Sequence, residues 1–103
     1  MKKIFAAIIL YLFTQIAHSE IKISNGLVIK KGRCTSMSGF SGNLVNRTNK
    51  KMSGEIILKF YDSDNDPIGN CSRSFSLASK SGDSIYFQSC NCGDSKSMSA
   101  SLK

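Results

Sequence analysis

Between Glu55 and Asp62 the chain alternates in character. Ile56, Leu58 and Phe60 fall on one face; Glu55, Ile57, Lys59 and Tyr61 fall on the other. A repeat of two is the strand repeat, because successive side chains on a pleated backbone point to opposite faces. Ile57 breaks the polar side, so that face is expected to be only partly wet. The run Asp62-Ser-Asp-Asn-Asp-Pro67 then stops the strand. Asp and Asn bond their own backbone in turns, and proline cannot sit in a central ladder. Gly54, just before the alternation, is expected to mark its start as a turn or bulge. Residues 54–69 therefore predict a strand, a tight acidic turn and the start of a returning strand.

The flanking segments extend the pattern. Ile21 and Ile23, then Leu27 and Ile29, alternate on either side of Asn25-Gly26. Asn-Gly is the strongest short hairpin signal; a bulge inside one edge strand fits equally and is preferred. A second strand is expected from about Thr35 to Val45, with Phe40 and Leu44 on one face and Gly39 and Gly42 inviting a bulge or close packing. A polar turn over 46–54 leads into the central strand. The return strand is placed over Ile68 to Ser76, a loop over 77–83, and a further strand where Ile85 and Phe87 alternate with Tyr86 and Gln88. Met98, Ala100 and Leu102 alternate with serines as a terminal strand. Six or seven short strands with no helical period predict an all-β antiparallel sandwich.

The first residues read differently. Lys2 and Lys3 precede an apolar run from Ile4 to Phe13, and Ala17-His18-Ser19 offers small residues at the positions a signal peptidase inspects. The apolar run is shorter than the ~20 residues a membrane span requires. Residues 1–19 are therefore expected to be a cleaved signal peptide, and residues 20–103 a single exported β-domain, periplasmic or secreted. No cysteine stands at the cleavage site, so a lipid anchor there is not expected.

Removing 19 of 103 residues leaves 84. A core that small is marginal and usually needs covalent help. The four cysteines, Cys34, Cys71, Cys90 and Cys92, all remain. An even count in a small exported domain reads as two disulfides. With Lys2 and Lys3 gone, the formal charge of +7 becomes +5. The positives are scattered: Lys30, Lys31 and Arg33; Arg47, Lys50 and Lys51; then single ones. They read as a solvated basic surface, with attraction to anionic lipid, glycan or nucleic acid as the sharper alternative. Nucleic acid is the least expected of these, because no recognised motif or interleaved exposed aromatics accompany the charge.

Several chemistries are excluded. The sole histidine, His18, lies in the leader. That removes Ser-His-Asp and Cys-His catalysis, imidazole acid–base work and His-containing zinc sites from the remaining chain. Asp62, Asp64 and Asp66 have calcium-loop spacing, yet Pro67 takes the place of the required Gly and Arg73 that of the distal Glu, so an ordinary acidic turn is expected. Cys90-Asn91-Cys92 has one residue between its cysteines where redox motifs usually have two. A four-thiolate zinc site wants two close pairs, and Cys34 and Cys71 stand alone. Asn46-Arg47-Thr48 and Asn70-Cys71-Ser72 match the glycosylation sequon and are read as chance. No catalytic, cofactor-binding or metal-binding residue is assigned.

The segments SGFSGNLVNRTNKK, IILKFYDSDNDPIG and SFSLASKSGDSIYF together resemble the FxLYD-type domain, a bacterial family with an immunoglobulin-like sandwich. The resemblance covers about half the chain. It rests on Gly42 to Asn46, on Phe60-Tyr61-Asp62 with Gly69, and on Leu77 with Gly82, the last at a wider spacing than the family's. The four cysteines and the lack of a Pro before the loop glycine depart from the pattern. The resemblance implies a small immunoglobulin-like sandwich and an extracytoplasmic binding or accessory module, and carries over no catalytic residue. In such a sandwich the strand after Cys34 runs antiparallel to the one ending near Cys90. One cysteine of the Cys90/Cys92 pair is then expected to bond Cys34 and the other Cys71, with Cys34–Cys92 and Cys71–Cys90 favoured. Strict alternation opposes this, placing Cys90 and Cys92 outside while Cys71 points in with Phe75. A bulge near Gln88-Ser89 would remove the conflict.

These readings converge on a non-enzymatic binding or accessory module of the bacterial envelope, with a protein or envelope glycan as partner. The alternative is a secreted cationic effector or inhibitor directed at an anionic surface or a foreign enzyme.

Overall fold

The computed structural model describes residues 20–35 and 38–103. The expected leader, His18 included, lies outside them. The described residues form seven strands and no helix: β1 (Glu20–Ser24), β2 (Leu27–Cys34), β3 (Phe40–Asn46), β4 (Met52–Tyr61), β5 (Pro67–Leu77), β6 (Ser81–Phe87) and β7 (Ser97–Leu102). All pairings are antiparallel, in a four-stranded sheet of order β1-β2-β3-β6 and a three-stranded sheet of order β5-β4-β7. With β2, β3 and β6 read as A, B and E, and β5, β4 and β7 as C′, C and F, the neighbours are those of an immunoglobulin-type sandwich. β1 adds a strand outside A, and no G strand is present among the described residues.

The alternating stretch is the centre of the smaller sheet. β4 pairs with β5 on one side and β7 on the other, and Ile56, Leu58 and Phe60 are at most 1% exposed. Burying each such side chain contributes about 1.5–3 kcal/mol. Leu27, Ile29, Phe40, Leu44, Ile85 and Phe87 face them from the larger sheet. Phe40 joins the layers: its ring centroid lies 5.7 Å from that of Phe60 and 6.5 Å from that of Phe87. Ile57 is half-buried, as its apolar character on the outer face requires. Pro67 is the first residue of the edge strand β5, opposite Tyr61, a position that tolerates proline.

Several boundaries differ from expectation. Asn25-Gly26 is the turn of a true β1–β2 hairpin and not a bulge within one edge strand. Gly26 alone of the two has positive φ, 81°. The hairpin wins because Leu27, Val28 and Ile29 can then pair on both sides, with β1 and with β3. β2 continues to Cys34, so the following strand starts at Phe40 and not near Thr35. Gly54 is inside β4, opposite Phe75, with φ of 148°; Met52 and Ser53 extend the ladder before it. The loop expected over 77–83 shrinks to three residues, since β5 runs through Leu77 and β6 begins at Ser81.

Candidate ligand-binding groove

Both disulfides form at one end of the sandwich. Cys34, the last residue of β2, bonds Cys92, with Cα atoms 6.0 Å apart; Cys71 of β5 bonds Cys90, at 4.8 Å. The parity conflict vanishes because β6 stops at Phe87. Ser89 and Asn91 then take left-handed backbone, each at φ 56°, and this turns Cys90 and Cys92 back into the core at 0% and 3% exposure. A strand end therefore does what a bulge in the ladder was expected to do. The connection from β6 to β7 is tied down further. The Cys90 N–H donates to the Ser38 carbonyl at 2.7 Å, the Asn91 side chain donates to the Ile68 carbonyl at 2.8 Å, and the Lys96 N–H donates to the Tyr61 carbonyl at 2.8 Å. Two disulfides fit an oxidising, extracytoplasmic compartment.

The acidic turn holds itself together. Asp62 Oδ1 accepts the N–H groups of Asp64 at 2.9 Å and Asp66 at 3.0 Å, and Asn65 supplies the left-handed residue at φ 67°. The three carboxylates have ligand atoms within 4.8 Å of one another, but one oxygen of Asp62 is already committed to the backbone. Of the two sequons, Asn46 is fully buried. Its Nδ2 donates to the carbonyls of Lys50, Leu77 and Ala78, so it offers no acceptor nitrogen to a glycosylating enzyme.

Three of the basic residues do not stay scattered. A register shift between Lys30 and Arg33 marks a bulge in β2, and Lys31 sits in it with φ of 56°. A bulge re-aims side chains relative to the regular pleat. Lys31 and Arg33 come to line an open groove of about 740 Å³ on the face of the larger sheet, across β2, β3 and β6. Ser41 and Asn43 of β3 and Ser84 of β6 form its polar floor.

The far rim is built by two residues that sequence reading left apart. Arg73, from the edge strand of the other sheet, crosses the seam between β5 and β6; its Nη1 donates to the Tyr86 carbonyl at 2.9 Å. Tyr86, at 37%, is the exposed large hydrophobic side chain among the described residues. Its ring lies over Gly39, where any Cβ would overlap it. Three cations thus border the groove and no carboxylate lines it. Arg47 is different: it pairs with Glu20 at 2.7 Å, the one ion pair among the described residues. The hydrogen bond from Arg47 holds the Glu20 carboxyl below its ordinary range, and the same contact raises the guanidinium of Arg47.

The sequence signal for the near rim was present in Lys30-Lys31-Gly32-Arg33, where a glycine between cations hints at irregular backbone. Arg73 and Tyr86 carried none, because only the fold brings β5 against β6. Comparison of the chain with protein-family models, with curated proteins and with solved structures finds no match.

Proposed function

We propose that this chain is a small exported, non-enzymatic binding or accessory module of the bacterial envelope, periplasmic or secreted, that acts through the groove bounded by Lys31, Arg33, Arg73 and Tyr86. The carrying observation is that these cations converge on one site with no neutralising carboxylate in its lining. Gathering like charge on one face has an electrostatic cost, and a partner of opposite sign offsets it. The absence of histidine from residues 20–103 and the two disulfides support the same reading. So does the resemblance to FxLYD-type domains, of which we propose this chain is a divergent example.

A photo-crosslinking residue at Ser41 or Ser84, in protein exported in its native cell, tests this. Adducts to an envelope protein or glycan are expected from those positions and not from Lys50. Equal labelling from all three, or none, contradicts it.

The net basic charge supports a second reading, a secreted cationic effector or inhibitor aimed at an anionic surface or a foreign enzyme. Vesicle binding across a salt series separates the two. Charge-driven surface adsorption falls steeply with salt and is indifferent to which lysines are removed.

A further inference from the structure

Resting on the groove as a binding site, we infer that its ligand is an acidic polysaccharide, one whose carboxylate or sulfate groups recur along a hydroxyl-rich chain. The spacing of the rims is the first reason. Lys31 and Arg33 lie on β2 and Arg73 lies beyond β6, with β3 between. Two strand spacings separate β2 from β6, about 10 Å, so the cations meet charges set apart along an extended ligand rather than a single compact anion. The floor between them is Ser41, Asn43 and Ser84, short side chains that donate to and accept from hydroxyl groups.

Arg73 is held in place before any ligand arrives. One guanidinium N–H is committed to the Tyr86 carbonyl, and the others have no partner among the described residues. A guanidinium fixed on one side presents its remaining fork to a planar anion at little further entropic cost. Tyr86 adds an apolar ring face at the same rim.

Other occupants fit less well. An acidic peptide added as a strand needs an open sheet edge; β3 in the floor is paired on both sides, and on the edge strand β6 the Tyr86 carbonyl is already taken by Arg73. A single nucleic-acid strand needs successive aromatic platforms, and the groove has one. A flat anionic bilayer makes no use of a hydroxyl-matched floor recessed between two rims.

The test uses the disulfide-intact exported protein and five probes: polygalacturonate, dextran sulfate, neutral dextran, a poly-glutamate peptide and vesicles containing anionic lipid. Binding to polygalacturonate or dextran sulfate is expected, the two arms distinguishing carboxylate from sulfate, with none to neutral dextran. R33A/R73A is expected to weaken that binding at least tenfold. K50A/K51A removes the same charge outside the groove and is expected to leave it within twofold. Circular dichroism and retained disulfides check that both variants fold. Equal losses in the two variants overturn the inference. Groove-dependent binding of poly-glutamate or vesicles, with no polysaccharide bound, also overturns it while leaving the binding-module reading standing. If no probe binds and groove cross-linking is also absent, both fall.

Discussion

Asn46 and Leu77 join the two sheets: the side-chain amide at the end of β3 donates to the carbonyl at the end of β5 at 3.2 Å. The same Nδ2 reaches Lys50 O at 2.9 Å and Ala78 O at 3.0 Å, while Oδ1 accepts from the Thr48 N–H at 2.9 Å and hydroxyl at 2.7 Å. A fully buried amide is tolerated here because both of its atoms are satisfied. Asn46→Ala strands several of these groups, at about 1–3 kcal/mol for each buried one left unpaired. Urea unfolding is expected to show a loss of at least about 2 kcal/mol; a change near zero contradicts the role.

Asn46→Asp keeps the shape and removes the donors. A carboxylate facing three carbonyl oxygens is disfavoured in the folded state, so its folded pKa is raised. The penalty relative to the parent is then smallest at acid pH. It grows as pH rises above the unfolded value of about 3.9 and levels off past the folded one. Unfolding midpoints of the two proteins across a pH series check the sign. A penalty independent of pH means the side chain escapes to solvent.

The Glu20–Arg47 pair is expected to matter little. Both side chains are well exposed, 41% and 47%, and such pairs are screened. The hydrogen bond from Arg47 lowers the Glu20 carboxyl, so whatever the pair adds is present above the ordinary carboxylate range and lost as pH falls through the lowered value. Glu20→Gln is expected to shift the melting temperature barely at neutral pH and not at all in acid. A large shift at neutral pH contradicts this.

Gly26 makes the first turn possible. It holds φ at 81°, and an added Cβ would lie 2.5 Å from Cγ2 of Thr48. Gly26→Ala is therefore expected to destabilise by more than about 1 kcal/mol, since both the backbone and the space oppose it. Adding Thr48→Ser removes the clashing methyl but keeps the hydroxyl that Asn46 accepts from. The double variant is expected to recover part of the loss; no recovery assigns the whole effect to the backbone.

How far the chain could be read follows from how local each signal is. The alternation of Ile56, Leu58 and Phe60 is set by neighbours along one strand, so β4 and its inward face were legible. So was the inward pair Ile85 and Phe87. The bridging pattern was reachable because a sandwich leaves few partners for Cys34. The turn at Asn25-Gly26 was misassigned because a hairpin and an edge bulge share local chemistry; pairing of β2 with both β1 and β3 decides between them. Asn46 reads from the sequence as the start of a polar turn and a chance sequon, because its acceptors Leu77 and Ala78 are 31 and 32 residues away. The groove was hidden for the same reason. Arg73 and Tyr86 meet only across a seam between two sheets, and at the near rim Gly32 between two cations is the sole local sign of the bulge that turns Lys31.

The central claim is that two layers are clamped at one end through the connection between β6 and β7. The bridges span 58 and 19 residues, for which a chain-entropy estimate gives about 4 and about 3 kcal/mol. The loops overlap, so the two do not simply add. Replacing either pair by serine is expected to lower the melting temperature by roughly 10 °C or more. Unchanged melting contradicts a clamping role.

Mapping the bridges tests the claim most directly. Only Asn91 separates Cys90 from Cys92, so stepwise partial reduction with cyanylation and chain cleavage is required, followed by mass analysis of the exported protein. The expected fragments report Cys34 joined to Cys92 and Cys71 joined to Cys90. Fragments joining Cys34 to Cys71 and Cys90 to Cys92, or four free thiols in protein taken from an oxidising compartment, would contradict it.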